Sequence, residues 1–339
     1  MSVELRVKNG EYILKKNSFT LIELIFVIVI LALIIQGSFK AITMLYQRYA
    51  EVNTITKFTI LSQTLLDETS TILYYRTPLT AIGYSPSDGD FKKLEDIDDN
   101  KYSVFEWISE AYDAKKHFGF DVTTGYTGFI DMEASNRDTD TLVSKDFNIK
   151  DVNDTLNSVF DNNQDLNKTV AVIFSGNLDT GVESDDYNNS FGWHGYEHKK
   201  VFLINKFTQV GRDANLTMTK DIEGNKIYAK YYLAVSAWGV ARGIDINQNA
   251  NCLKGLNVDD NSLILFFNYR PWNNESFCAD PHQDNSETNE GNATILARDV
   301  TAFRVKAVDY HVELKVQFSK PMYRGSDMNI TITKQKVTF

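Results

Sequence analysis

Hydrophobic residues are concentrated in one block near the N-terminus, and the rest of the chain mixes shorter apolar and polar stretches. Residues 19–39 contain a single charged side chain, Glu23. A helix of that length spans about 30 Å at about 1.5 Å per residue, which is the thickness of the hydrocarbon core of a bilayer. The pattern therefore predicts a membrane-spanning helix over residues 19–39.

The helical pattern continues beyond Lys40. Apolar and small residues recur there at steps of three, four or seven, at Leu45, Tyr49, Val52, Ile55, Ser62, Leu65, Thr69 and Ile72. No proline or glycine interrupts residues 38–76, and Pro78 follows them. We therefore expect one helix from Phe19 to Tyr75, apolar on all sides in its first half and amphipathic over residues 40–76.

Strand patterns dominate the second half of the chain. Short β-branched and aromatic runs predict strands over residues 169–175, 200–204, 226–235, 262–268, 302–306, 311–318 and 328–339. The last two alternate apolar and polar positions, as half-buried antiparallel strands do. The predicted fold class is α+β, with the long N-terminal helix packed on a mostly antiparallel β-sheet in a globular head of residues 77–339.

The stretch before these strands carries weaker signals. Residues 79–168 are rich in Asp, Asn, Ser and Thr, which favours loops over regular elements. We expect a loop-rich segment there, with one short helix over residues 106–118.

The first 18 residues are basic, with four cations, Arg6, Lys8, Lys15 and Lys16, against two acids. An ordinary secretory signal peptide or signal anchor is the simplest interpretation of such a start. However, the apolar run is longer than a typical signal-peptide core, and no small-x-small cleavage site follows it closely. Glu23 also costs about 2.5–3.5 kcal/mol to place in a membrane, which indicates that this carboxylate has a function.

A family motif begins at Lys15. The segment Lys15–Leu24, which reads KKNSFTLIEL, resembles the cleavage and methylation motif of prepilin-type proteins, the type IV pilins and type II secretion pseudopilins. The resemblance implies that residues 1–18 are a cytoplasmic leader, that prepilin peptidase cuts between Ser18 and Phe19, and that the new amine of Phe19 is methylated. Ser18 departs from the glycine that most family members have before the cut, although it is also small.

The same resemblance implies a pilin-like fold and a role for Glu23. In this family the apolar helices pack side by side in a filament core, where an unpaired carboxylate is costly, and the Phe19 amine of a neighbouring subunit is a partner for Glu23 that would set the register. Because Lys15 and Lys16 precede the span, the leader is expected in the cytoplasm and the head in the periplasm of a single-pass inner-membrane protein. The expected partners are other pilin or pseudopilin subunits, prepilin peptidase and the inner membrane.

Three functions compete. The first is a structural and assembly subunit of a type IV pilus or a type II secretion pseudopilus, and the large head favours a minor subunit. The second is a membrane-anchored periplasmic binding or adhesin protein without a filament role. The third, an anchored hydrolase, lacks a convincing nucleophile and base, so no enzyme activity is expected. The net charge of −10 argues against nucleic acid as a partner.

Cys252 and Cys278 are the two cysteines of the chain. In an oxidising periplasm they favour one disulfide bond, and the alternative is a pair of free, buried thiols.

Two patterns suggest metal binding but lack its structural context. His194 and His198 belong to an H-x-x-E-H pattern, which in metalloproteases lies on a helix. Gly192 and Gly195 disfavour a helix here, so a turn leading into a strand is the preferred interpretation.

Early EF-hand spacing occurs twice, at Asp96, Asp98 and Asn100 and at Asp161, Asn163 and Asp165. Neither has Gly at the sixth or Glu at the twelfth position, so solvated loops are the preferred interpretation. No cofactor is therefore predicted, and bound calcium is the alternative.

The chain contains seven Asn-x-Ser/Thr sequons. Six of them carry Asp or Glu two residues before the asparagine, a pattern that resembles the acceptor sequence of bacterial N-glycosylation; Asn274 is the exception. The six are Asn153, Asn167, Asn188, Asn215, Asn292 and Asn329. The hypothesis is that several of them carry glycans on surface loops. The alternative is a coincidence in loops rich in Asp and Asn.

Overall fold

The computed structural model of the protein describes residues 5–8, 11–14, 20–97, 100–115, 125–160, 166–178, 187–219, 226–282, 289–308, 311–322 and 328–338. The chain divides into two compact units. The smaller unit comprises Met1–Lys57 and Pro321–Ile330, and the larger unit comprises Phe58–Lys320 and Thr331–Phe339.

The helices within the described ranges are α1 Leu21–Tyr74, α2 Ile149–Phe160 and α3 Leu166–Thr169. The strands there are β1 Leu5–Lys8, β2 Glu11–Leu14, β3 Ile82–Ser85, β4 Asp90–Lys93, β5 Val104–Glu110, β6 Ile130–Asn136, β7 Thr141–Ser144, β8 Ala171–Phe174, β9 Phe202–Val210, β10 Asp213–Met218, β11 Tyr231–Arg242, β12 Leu263–Tyr269, β13 Ser276–Phe277, β14 Asn289–Glu290, β15 Asn292–Ala297, β16 Val300–Val308, β17 His311–Pro321 and β18 Asn329–Thr338.

The long helix α1 confirms the prediction of one continuous helix, apart from Phe19, which lies outside the described residues. The backbone N–H groups of Tyr75 and Arg76 close its last turn by donating to Ile72 and Leu73. Burial along α1 begins at Phe58 and recurs with the helical period at Ser62, Leu65, Leu66, Thr69, Ser70 and Leu73. The predicted stripe is therefore buried only in its second part, because Leu45, Tyr49 and Val52 are exposed.

A large antiparallel sheet forms the centre of the larger unit. Its strand order is β4-β3-β5-β11-β8-β9-β10-β7-β6, with β12 added to β11 and β15 added to β12. Strand β11 is long enough to pair with β5 along one edge and with both β8 and β12 along the other. A second sheet of three strands has the order β16-β17-β18. These findings confirm the α+β class with a largely antiparallel sheet.

Side chains of α1 share one hydrophobic cluster with residues of both sheets. Phe58, Leu65, Leu66 and Leu73 of α1 belong to it. The sheets contribute Phe105, Trp107, Val240, Leu263, Leu265, Val300, Phe303, Val312, Leu314, Val316 and Phe318. Polar contacts support the packing along β18, where Lys336 pairs with Asp67 at 2.7 Å. This side of the helix is thus fixed by the core of the larger unit.

The short helix predicted over residues 106–118 is wrong, because β5 occupies its first part. Successive residues of β5 enter two different buried layers. Phe105 and Trp107 belong to the cluster around α1, whereas Val104 and Ile108 belong to a second cluster on the other face of the sheet. A strand buried on both faces has no polar side, so its period of two residues is hidden in the sequence.

The seven predicted strands are confirmed as elements, with shifted ends. The largest shift is at 226–235, where β11 begins only at Tyr231 and continues to Arg242. The segment 79–168 is not loop-rich as expected, since it contains strands β3 to β7 and helix α2. These strands lie at the two ends of the large sheet, where they pair with neighbouring strands. Their polar sequences do not predict strands, because the pairing partners are distant in the chain.

Candidate functional site

The first part of α1 presents an exposed apolar surface. The large apolar side chains from Leu21 to Ile35 are each between 45% and 77% exposed. An 18-residue window of this helix has a mean hydropathy of 2.6, so α1 is long and apolar enough to cross a membrane. Soluble monomers rarely expose so large an apolar patch, and lipid or other apolar helices would cover it.

A capping box begins this helix. The hydroxyl and the backbone N–H of Thr20 both donate to Oε2 of Glu23 at 3.0 Å, and the N–H of Glu23 donates back to the Thr20 hydroxyl at 3.4 Å. Such reciprocal bonds satisfy backbone donors that the first helical turn leaves free. Glu23 therefore has a local role that the sequence interpretation missed, although Thr20 and Glu23 show the T-x-x-E signature.

The cleavage and methylation site lies outside the described residues. This applies to Ser18 and Phe19 and to the basic pair Lys15 and Lys16. The structure does describe the motif from Thr20 onward, where the chain enters the apolar helix.

The predicted disulfide is confirmed, because Cys252 and Cys278 are bonded to each other. Their sequence separation is 26 residues. Both cysteines pack against the cluster that includes Trp272 and Phe277. The bond therefore ties the loop before β12 to the segment after β13.

A buried charge cluster surrounds His194. Nε2 of His194 lies 2.8 Å from Oε1 of Glu106, and Nδ1 lies 3.2 Å from Oδ2 of Asp280. The hydroxyls of Tyr269 and Tyr84 donate to the same two carboxylates, at 2.6 Å to Glu106 and 2.7 Å to Asp280. Both carboxylates have no exposed side-chain surface. The cluster thus links β5, β12, β3 and two connecting segments in the interior.

The backbone around His194 is built for this placement. His194 has φ of +48°, and Gly192 has φ of +84°. A Cβ on Gly192 would lie only 2.5 Å from the carbonyl oxygen of Pro271. Glycine is therefore required at position 192, and the resulting turn delivers the imidazole against the Tyr84 ring, which stacks on it with a centroid distance of 3.8 Å.

The two carboxylates keep His194 charged. Burial by itself lowers the pKa of His194, but the charges and hydrogen bonds of Glu106 and Asp280 outweigh it and raise the pKa to about 9. Burial likewise opposes ionisation of Asp280, yet bonds from His194 and Tyr84 hold the pKa of that carboxyl below its usual range. Burial and Glu106 together raise the pKa of Tyr269, so its hydroxyl stays protonated and donates.

This arrangement does not form the metal site that H-x-x-E-H specifies in metalloproteases. His194 lies in a short turn, Trp193–Gly195, and its ring nitrogens face carboxylates. Nδ1 of His198 instead lies 3.3 Å from the carbonyl oxygen of Val201. The turn leading into a strand is thus confirmed. Sequence reasoning missed Glu106, Asp280 and the two tyrosines as partners, because they are far apart in the chain.

No group of three or more His, Cys, Asp or Glu side chains able to hold a metal ion occurs among the residues that the structure describes. Of the two calcium candidates, the one at Asp161, Asn163 and Asp165 lies outside those residues, as does Asp98 of the other.

The sequon asparagines do not lie on surface loops as expected. Asn153 is in α2, Asn167 in α3, Asn188 in a short helical segment, Asn215 in β10, Asn292 in β15 and Asn329 in β18. Their surroundings therefore differ, and each must be considered separately.

No family model, curated protein or solved structure matches the chain.

Proposed function

We propose that the protein is a prepilin-type protein that serves as a minor structural and assembly subunit of a type IV pilus or a type II secretion pseudopilus. The observation that carries the proposal is the sequence motif Lys15–Leu24 at the start of a helix whose first part is apolar on all sides. Exposed apolar side chains need lipid or other helices around them, and a subunit that moves from a membrane into a filament meets both surroundings.

The geometry at the start of α1 supports the proposed role of Glu23. Both Thr20 donors reach Oε2 of Glu23, which leaves Oε1 as the acceptor for a further donor from outside the described residues. In the proposal that donor is the Phe19 amine of a neighbouring subunit. An ion pair in an apolar filament core is strongly distance-dependent, so it would select one register between adjacent helices.

The larger unit supplies the second requirement of such a subunit. Phe58, Leu65, Leu66 and Leu73 of α1 belong to a hydrophobic core that also contains residues of both sheets. In the proposal, this packing holds the globular part of the subunit to the second part of the helix that begins with the apolar segment.

The test is N-terminal mass spectrometry on protein from the native host, with and without its prepilin peptidase. We expect the chain to begin at N-methyl-Phe19 and to retain residues 1–18 when the peptidase gene is deleted. The substitution Ser18→Trp should block the cut, because a large side chain replaces a small one at the cleavage site. Its matched control, Ser2→Trp, should leave the cut unchanged.

The competing function is an anchored periplasmic binding or adhesin protein, for which residues 1–18 stay on the mature chain. An intact leader in cells that contain an active peptidase would refute the filament proposal and support this alternative.

A further inference from the structure

The six sequons that have Asp or Glu two residues before the asparagine share one sequence pattern, but they lie in different structural surroundings. A glycosyltransferase that selects Asn-x-Ser/Thr must reach the asparagine carboxamide and the hydroxyl two residues later at the same time. In an extended strand, residues i and i+2 point to the same side, whereas in a helix they are about 200° apart. A folded acceptor therefore needs an exposed pair on an extended segment with an open edge.

Two of the six sequons lie in helices. Asn153 lies in α2, where the hydroxyl of Thr155 donates to the carbonyl oxygen of Asp151 at 2.8 Å. Asn167 lies in α3, and its Oδ1 accepts a bond from the backbone N–H of Phe207 at 3.1 Å. Neither presents its two recognition groups together.

Two further sequons do not meet these conditions for other reasons. At Asn188 the required hydroxyl belongs to Ser190, which has no exposed surface. Asn215 is extended, but its strand β10 is paired with β7 on one edge and with β9 on the other. Ser190 becomes accessible only through local unfolding, and Asn215 lies half-buried on a strand without a free edge.

Asn292 meets all the conditions. It begins β15, a strand that pairs only with β12 within the described part of the sheet. Asn292 and Thr294 are both exposed, and their separation of two along a strand places them on one side. Gly291, with φ of +92°, turns the chain immediately before Asn292 and sets this pair at the start of the strand.

Asn329 ranks second. It is exposed on β18, an edge strand of the three-stranded sheet. The hydroxyl of Thr331, however, is hydrogen-bonded to the hydroxyl of Ser319 at 2.9 Å. Recognition of this sequon would break that bond, whereas no such bond is formed by Thr294 in the described structure.

We propose that Asn292 is an N-glycosylation site that accepts an oligosaccharide from a polyprenyl diphosphate donor. The carboxamide nitrogen of Asn292 bonds to the anomeric carbon of the sugar, and the bond from that carbon to the phosphate oxygen breaks. Polyprenyl diphosphate leaves, and the carboxamide loses one proton to a base of the transferase. Glu290 supplies the acid two residues earlier in the sequence. The inference rests on export of the larger unit, which is part of the proposed function.

The experiment is mass spectrometry on the full chain purified from its native host. Combined cleavage after Glu290 and Arg298 releases the peptide 291–298, GNATILAR, whose sequon is Asn292 alone. We expect this peptide to carry a mass increment made of whole sugar residues, with fragmentation placing it on Asn292. Asn292→Gln and Thr294→Val should abolish the increment, and Thr294→Ser should retain it.

The matched control is Asn215→Gln, the same chemical change within a strand paired on both edges. It should leave the total sugar mass of the intact chain unchanged. An unmodified 291–298 peptide from the native host would overturn the proposal, whether or not other sequons carry sugar.

The same spectra separate this inference from the proposed function. A chain that begins at Phe19 without sugar at Asn292 would overturn the glycan site alone. A glycosylated chain that still begins at Met1 would overturn the filament subunit alone and confirm the glycan site.

Discussion

At the residue scale, His194 is the centre of a buried charge cluster in the larger unit. Its side chain is 5% exposed and faces two carboxylates that have no exposed surface. Removing charges from water costs several kcal/mol per ion, so the cluster is tolerable only because every member is hydrogen-bonded. Loss of the His194 charge leaves the two buried carboxylates without their positive partner, so the stability of the site depends on the protonation of His194.

The first prediction concerns the pH dependence of stability. The pKa of His194 is raised from 6.5 to about 9. Its contribution is therefore fully present below pH 6.5 and is lost as the pH rises through about 9; the shift corresponds to roughly 3 kcal/mol in the free energy of unfolding. Urea unfolding of the full chain in detergent, followed from pH 6 to pH 10, measures this loss.

The variant His194→Gln isolates the effect, since glutamine does not titrate. We expect it to be less stable than wild type at pH 6 and to approach wild type at pH 10. The matched control His198→Gln makes the same chemical change at the other histidine of the H-x-x-E-H pattern, whose ring faces the Val201 carbonyl and not the cluster. A wild-type dependence of stability on pH in His194→Gln would show that the cluster does not set it.

At low pH the stability changes with pH in the opposite direction. Because the pKa of Asp280 is held below its usual range, its contribution is present above the ordinary carboxyl pKa and is lost as the pH falls through the lowered value. The cluster therefore stabilises the larger unit best between these two limits.

At the scale of elements, α1 is one helix with two surroundings. Side chains from Leu21 to Ile35 are exposed, whereas those on one face from Phe58 to Leu73 are buried. An apolar side chain contributes to folding stability only where folding removes it from water. Equal substitutions on the two faces of the second part should therefore have unequal effects.

The second prediction compares two truncations on α1. Leu66 is 1% exposed and Ile60 is 60% exposed. Leu66→Ala should lower the free energy of unfolding by about 2–5 kcal/mol, as buried leucine truncations do, and Ile60→Ala by less than about 0.5 kcal/mol. Chemical denaturation of the full chain in detergent measures both losses, provided that the slope of the free energy of unfolding against denaturant concentration is the same in the variants and wild type. Equal losses would mean that α1 does not pack through the Leu66 face.

The elements also show where sequence reasoning succeeds and fails. The seven strands of the second half were predicted because they are short, β-branched and bounded by turn residues. Strand β5 was missed because its residues enter two buried layers and include Glu106 and Glu110, both nearly fully buried. Glu110 pairs with Lys115, and the Tyr126 hydroxyl donates to it. From sequence alone such charged residues predict a solvent-exposed segment, because charged side chains are rarely buried without a partner.

At the scale of the whole molecule, one covalent bond closes a region with few regular elements. Cys252 and Cys278 bracket β12 and β13 with their flanking turns, and Asp280 of the buried cluster follows two residues after Cys278. The disulfide therefore limits the unfolded chain and also holds the segment that brings Asp280 to His194.

The third prediction is the cost of losing this bond. Loop-closure entropy for a loop of this length corresponds to about 3–4 kcal/mol. The double variant Cys252→Ser, Cys278→Ser should unfold at correspondingly lower urea concentration than wild type. Wild type treated with reductant is the control and should reproduce the loss. A difference below about 1 kcal/mol would show that the rest of the fold already holds the two ends.

The sequence by itself determined the long helix, its apolar first part and the antiparallel strands of the second half, because each depends on a local pattern that short-range sterics and the hydrophobic effect convert into structure. It also favoured the disulfide between Cys252 and Cys278 over free thiols, and it carries the resemblance of Lys15–Leu24 to a prepilin motif. The tertiary structure alone decided which glutamates and aspartates are buried, where His194 finds its partners, and which sequon lies on an open edge. These depend on residues brought together from distant parts of the chain, and only the packed core sets their distances.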